Sequence, residues 1–542
     1  MFRENDSHRQ EALFNTFAGM NGKTQAKLGK SWAPLFYTHV FCAIDEQLFA
    51  DLFCADNGRP NFPVNILVAL EIIKHWKDFT DEELLEQVAF NYQVAYAVGM
   101  RTLGEIDIAR RTLYLFRSRL YQYALEHAGE DDLIFKQFVA LTEGLAAALG
   151  VKLDMQRVDS TSVMPNIQKA CRMALAFDVL FHAVKACPDE LLTDALRSVL
   201  KPNFKTEILF RTKTSQASSR LTELLNLGGQ LLEIITATHI INVNEFKILE
   251  RFMGEQAIYN EPEKQWSAKN NKDIAADSLQ SAHDSDATYR KKAGKGQSGY
   301  VANLAETCNP ENPVQLITDY VLEPNITSDT EIIQERLPEI KERTDVEEMY
   351  MDGGYYGENV EECARKAGVD NNYTDMTGSK PKGDQIPCDQ FTIDDHQIIR
   401  CCPKGQQAKD ASYDKEKREL EGHFDSQQCQ QCDLCEKCPI KLKKNGDAVV
   451  KISLKSLLAA ETRSKLESQD RAEAVSRRVA IEGTNSALKR AQGMAKLRVC
   501  GQHKCKVVVG LKVIGHNIQQ FIRCLNKKTQ DAQRDRCAQL AI

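Results

Sequence analysis

No run in this sequence approaches the roughly 18 uncharged apolar residues that a membrane-spanning helix needs. The opening stretch, MFRENDSHRQEALF, has no apolar centre of export-signal length either. The pattern sets aside a membrane protein, and the expected compartment is the cytoplasm. Glycine (29) and proline (15) are not in excess over 542 residues, which excludes fibrous and low-complexity classes and predicts that most of the chain folds. A positive surplus is missing too: the formal net charge of -6 argues against a protein that meets polyanions over its whole surface.

What is present begins with length, which allows about three or four folding units. Apolar residues make up 42% and charged residues 27%, ordinary for a soluble globular chain. Seventeen cysteines without an export signal point to thiols or metal ligands rather than a disulfide scaffold. Positive charge is concentrated locally. Between Arg471 and Lys527 stand 12 Lys and Arg against two acids, Glu473 and Glu482. Such a run fits a phosphate-contacting face, and equally a solvated helix surface.

Residues 1–125 carry helical spacing. Pro63 to Lys77 places Ile66, Leu67, Leu70, Ile73 and Trp76 on one side, and Thr80-Asp-Glu-Glu83 forms a capping box ahead of Leu84, Leu85 and Val88. The unit suits a helix presented to a DNA groove, or a plain bundle or dimerisation module. From Lys152 to Val163 the pattern alternates as a strand does, and further strands are predicted at Gly299–Cys308, Val314–Leu322, Glu347–Asp352 and Asn371–Met376. Residues 166–295 look like an insertion, with helical runs at Leu175–Ala186 and Leu221–Ile235, then a polar tract, Asn260–Lys295, read as loop or linker. After residue 378 the period is lost through a Lys-, Asp-, Gln- and Cys-rich segment, and from Glu461 a helical pattern resumes.

Phosphodiester cleavage and transfer need an activated nucleophile, in-line attack and neutralisation of the leaving oxygen. Two divalent cations held by carboxylates meet all three needs. Asp159 is the one acid in the strand-like run Arg157-Val-Asp-Ser-Thr-Ser162, and Asp352 ends another strand just before Gly353-Gly-Tyr-Tyr-Gly357. Glycines beyond a carboxylate permit close approach of a ligand backbone. Taken singly, either Asp also suits a surface or turn role. Glu482 lies on a predicted helix; at 100° per residue Arg478 is displaced from it by about 40° and Lys489 by about 20°, so the three share a face over roughly 16 Å. That stripe suits a metal ligand beside phosphates, and also an exposed helix with ion pairs.

Asp159 in V-D-S-T, Asp352 in D-G-G-Y-Y-G and Arg478-x3-Glu482-x6-Lys489 resemble, in order, the three catalytic motifs of DDE transposases from bacterial insertion sequences. Asn57-Gly-Arg-Pro60 with the helix after it, Thr112–Arg117, Gln297-Ser-Gly-Tyr300, Ile326-Thr-Ser-Asp329 and Leu511–Arg523 extend the resemblance over most of the chain outside the insertion and the cysteine-rich segment. One departure is Val475, where the third motif often has Tyr. The resemblance implies an α/β, ribonuclease-H-like mixed-sheet core from residues 150–165, 296–385 and 461–527. To this it adds a helical N-terminal domain at 1–125, the 166–295 insertion and a cysteine-rich insertion at 386–460. It further implies that Asp159, Asp352 and Glu482 bind Mg²⁺ or Mn²⁺, that Arg478, Lys489, Arg490, Lys496 and Arg498 contact DNA, and that the enzyme cuts transposon ends and joins them to target DNA as a homo-oligomer. Two rivals remain: a nuclease on the same core that does not join, and a non-catalytic DNA-binding descendant.

Cys429-x2-Cys432-x2-Cys435-x2-Cys438 puts four thiols within ten residues, with Cys388, Cys401 and Cys402 upstream. C-x2-C pairs suit tetrahedral Zn²⁺, closed either by two such pairs or with Cys401 or Cys402. An iron–sulfur cluster or uncommitted thiols are the alternatives. A structural Zn²⁺ would order the segment, with Lys437, Lys441, Lys443 and Lys444 available to DNA. It would not be the catalytic ion, because thiolates are soft ligands.

Overall fold

The structure, a computed structural model, describes residues 1–10, 15–102, 104–168, 171–239, 243–292, 294–376, 385–443, 446–468 and 471–540. Lys444 lies outside the described residues. The first strand, β1 (Met155–Val163), is followed by a helical insertion, the hairpin β2 (Ala257–Asn260) and β3 (Gln265–Ala268), and then β4 (Thr288–Lys292). Next come β5 (Lys295–Thr307), β6 (Ile317–Pro324), β7 (Glu348–Met351) and β8 (Asp370–Tyr373). β6, β5, β1, β7 and β8 lie side by side in that order, and β4 pairs with the start of β5.

β1 is antiparallel to β5, with Asp159 opposite Leu304, and parallel to β7, with Gln156 opposite Met349. A central strand with one antiparallel and one parallel neighbour, extended by β6 and β8, gives the mixed sheet of a ribonuclease-H-like fold. Helices cover both faces, which explains why β5 from Tyr300 onward and β6 as far as Leu322 read as continuous buried runs rather than alternating ones.

The Val64–Lys77 helix forms where its apolar spacing predicts, and Thr80 and Glu83 make the capping box. These N-terminal helices do not close a core of their own. They share one with β5, β6 and the C-terminal helix Gln502–Leu540, in which Trp76, Phe138, Tyr320 and Val513 belong to a single cluster. Packing is close enough that a Cβ on Gly515 would lie 2.7 Å from the Trp76 Cβ, and one on Gly510 would lie 2.1 Å from the Tyr320 hydroxyl. A buried helix, Leu133–Leu149, falls between the two sequence-predicted units and joins the same core.

Two regions expected to be irregular are ordered instead. Within the polar tract 260–295, β3 is held by Trp266. Its backbone N–H donates to Asn226 Oδ1 (2.9 Å), and its ring crosses Gly229, where a Cβ would lie 2.1 Å from Nε1. The insertion has its own core, including Leu180, Leu225, Phe246 and Phe252.

The cysteine-rich segment forms a four-stranded antiparallel sheet (Asp410–Asp414, Glu419–Asp425, Asp447–Ser453, Ile440–Leu442) over Phe391, Leu420, Phe424 and Val450. Its strand Glu419–Asp425 does alternate. The pattern is masked because one inward position is Gly422, whose Cβ would lie 3.3 Å from Ile399. Among the described residues no helix is long and apolar enough to cross a membrane.

Candidate active site

Asp159 sits in mid-strand on β1, Asp352 directly after β7, and Glu482 on the helix Arg471–Ala491. Because β1 and β7 are parallel neighbours, their acids emerge at the same end of the sheet, and the helix crosses that end. The three carboxylates meet at one guanidinium. Arg478 donates from Nη2 to Asp159 Oδ1 (2.9 Å) and Asp352 Oδ2 (3.1 Å), and from Nη1 to Glu482 Oε1 (2.8 Å). Side-chain exposure rises from 13% for Asp159 to 36% for Asp352 and 56% for Glu482, so the site is closed at the sheet and open toward the helix.

Burial raises the pKa of Asp159 against the pull of Arg478, with Asp352 and Glu482 adding to the rise. Burial works against the charge on Arg478, but the three acids outweigh it and raise its pKa.

A second layer fixes the helix. Arg157 and Glu306 face each other across β1 and β5 in a buried pair, with Nε to Oε2 at 2.7 Å. From this pair Arg157 Nη1 donates to the Arg477 carbonyl (3.0 Å), and the Thr484 hydroxyl donates to Glu306 Oε1 (2.7 Å). Arg477 also donates to the Tyr350 hydroxyl on β7 (2.6 Å). The helix is therefore pinned on either side of the turn that carries Arg478 and Glu482. Asn485 Nδ2 holds Asp159 Oδ2 at 3.0 Å, and Ser160 Oγ donates to Asp329 Oδ1 at 2.6 Å. Among the described residues, Asn485 Oδ1 and Arg478 Nε are buried without a hydrogen-bond partner.

The glycines after Asp352 also meet a need inside the chain. A Cβ on Gly353 would lie 2.7 Å from Asp375 Oδ1, and one on Gly354 would lie 2.9 Å from Asp352 Oδ1. The crowding is internal: Gly354 N–H donates to Asp352 Oδ1 (2.8 Å) and Gly353 N–H to Asp375 Oδ1 (2.6 Å), which aims the carboxylate.

Of the five basic residues singled out in the sequence, Arg478 sits among the acids and the other four divide between two clefts. Lys489 and Arg490 line a shallow cleft of about 320 Å³ with Asp159 and Glu482, and Lys489 Nζ lies 3.4 Å from Ser162 Oγ. Burial lowers the Lys489 pKa. Lys496 and Arg498 instead line a separate cleft of about 880 Å³ against the N-terminal helices, where Arg498 donates to the Phe79 carbonyl (2.8 Å). Cys402, Cys429, Cys432, Cys435 and Cys438 gather at a third cavity, remote in sequence from the acids.

Sequence reasoning missed Arg157, Glu306, Thr484 and Asn485. Nothing beside them in the chain marks them, because their partners lie up to 326 positions apart.

Among the described residues no three acidic, His or Cys side chains stand ready to share one ion. The donors around Arg478 are nonetheless hard carboxylate oxygens converging on one positive centre, the set a divalent cation such as Mg²⁺ takes.

Residues 401–522 match a family described as Transposase DDE domain, and residues 31–119 match one described as Transposase domain (DUF772). The first span contains Arg478, Glu482 and Lys489, and the second contains the Val64–Lys77 helix and its capping box. No curated protein and no solved structure matches.

Proposed function

We propose, from the premise that this chain carries two transposase domains, that it cleaves DNA at transposon ends and joins the freed ends to target DNA. The observation that carries the reading is the convergence of Asp159, Asp352 and Glu482, from three distant segments, on the single guanidinium of Arg478. A structural role alone gives no reason to place three carboxylates around one cation in an open cleft, because unneutralised like charges cost stability.

Asp159, Asp352 and Glu482 are the residues that would hold Mg²⁺ or Mn²⁺, which when bound supplies Lewis acidity and charge neutralisation at the scissile phosphate. The chain's own groups do the rest. Asn485 and the buried strand fix the Asp159 carboxylate, and the Gly353–Gly354 turn fixes Asp352. Lys489 and Arg490 flank the cleft as phosphate contacts that orient the strand for in-line attack. The nucleophile is water in the first step, which breaks one phosphodiester to give a 3'-hydroxyl and a 5'-phosphate, and that hydroxyl in the second, which breaks one target phosphodiester as it forms another. Joining brings two ends together, so the working form is a homo-oligomer on double-stranded DNA.

The test is cleavage and joining of labelled DNA carrying the flanking ends, with Asp159→Asn, Asp352→Asn and Glu482→Gln beside wild type. Cutting and joining by wild type in Mg²⁺ or Mn²⁺, with binding but no chemistry by each variant, is expected. Cutting without joining of a pre-cut end points to a nuclease, and chemistry retained by the variants removes the acids from the site.

A further inference from the structure

The chemistry of the acids makes no use of the cavity in the cysteine-rich module. We propose that this cavity is a structural zinc site, closed by four thiolates drawn from Cys402, Cys429, Cys432, Cys435 and Cys438. All five side chains line one space of about 310 Å³, backed by Phe391 and Phe424, and no disulfide joins them.

The backbone explains how the five come to face one point. Cys402 opens a tight turn in which its carbonyl accepts from Gly405 N–H (2.8 Å), and its own N–H donates to the Gln406 carbonyl (2.9 Å). Gly405, at φ +79°, makes that turn possible.

On the opposite side, Asp425 caps the short helix Ser426–Gln430 that carries Cys429. The chain then continues in three-residue turns: Cys432 N–H donates to the Cys429 carbonyl (3.2 Å), Cys435 N–H to the Cys432 carbonyl (3.0 Å) and Cys438 N–H to the Cys435 carbonyl (3.3 Å). These bonds fold the C-x2-C-x2-C-x2-C run back on itself, and all four of its cysteines line the cavity that Cys402 also lines.

As they stand, no three of these thiols are disposed as ligands of one ion. Neutral thiols have no reason to draw together. Zinc–sulfur bonds of about 2.3 Å would draw them together across the cavity that they line. Zinc fits better than the carboxylate-loving cations, because every donor is soft and no acid lines the space except Asp433, which is paired with Lys404 Nζ at 3.0 Å. Its role is to tie the Cys402 turn to the segment leading into strand Asp447–Ser453. That strand runs without a break into the helix Leu454–Ser468.

The test uses the full chain purified under reducing conditions without chelator. About one zinc per chain is expected, replaceable by Co²⁺ with the strong visible bands of tetrahedral thiolate coordination. Alkylation followed by mass spectrometry should find the cavity thiols protected until a chelator is added, which needs no variant that might unfold. Of the five single Cys→Ser substitutions, four should lose the metal and one retain it, while Cys42→Ser and Asp159→Asn keep it. Retention by Asp159→Asn separates this site from the proposed catalytic one, so either reading can fail alone. Absence of zinc together with equal alkylation before and after chelation overturns the proposal, as does iron with inorganic sulfide in its place.

Discussion

Arg478 is the residue on which the site turns. Its charge is held by three acids, so replacing it removes the one cation that bridges Asp159, Asp352 and Glu482. Arg478→Gln should lower stability by about 3 kcal/mol, the usual cost of stranding partly buried charge. Added Mg²⁺ should raise its Tm more than that of wild type; an equal response in both would remove the acids as a cation site. Asp159 gives a second handle. Its folded pKa is raised, so its contribution to stability is present when it is protonated at low pH and is lost as pH rises through that value. Asp159→Asn should therefore be at least as stable as wild type at neutral pH, with the gap closing toward about pH 4, the ordinary carboxylate value. Thermal unfolding across pH reads this directly, and a variant less stable than wild type at pH 7 would contradict it.

At the scale of elements, the helix Arg471–Ala491 is held where it crosses the sheet by a buried polar group as well as by apolar packing at Ala474 and Ile481. Arg157, Glu306 and Thr484 form a connected group buried between β1, β5 and that helix. Breaking it on one side strands the other, so Glu306→Ala should cost about 3–5 kcal/mol, whereas Arg157→Met with Glu306→Leu should recover most of the loss. Denaturant unfolding of the single and double variants decides this; additive losses would mean that the pair does not act as a unit. Residues 471–527 show a basic surplus in sequence, and the shared face of Arg478, Glu482 and Lys489 was legible from helical geometry alone. The buried polar partners were not, because an arginine in a strand looks the same in sequence whether it faces solvent or a glutamate 149 positions away.

At the scale of the whole molecule, the N-terminal helices, the sheet and the C-terminal helix share one apolar core, while the insertion has a separate one. Limited proteolysis should therefore cut at the edges of the insertion before it separates residues 1–125 from the rest. Residues 1–125 expressed alone should show exposed apolar surface and no cooperative unfolding. A cooperative transition from that fragment would show that the shared core is dispensable. The overall charge of -6 does not oppose a DNA-facing role, because Lys489 and Arg490 meet the acids at one cleft.

The sequence by itself determined the strand periods, the N-terminal capping box, the order of the three acids and the spacing of the thiols, because each depends on residues close together in the chain. Only the tertiary structure decided that β5 lies between β1 and β6, that Arg478 joins the acids and that Arg498 turns away to the Phe79 carbonyl. It also decided that the polar and cysteine-rich tracts fold into sheets. Those outcomes rest on contacts such as Trp266 over Gly229 and Ile399 over Gly422, where close approach of distant segments outweighs local polarity.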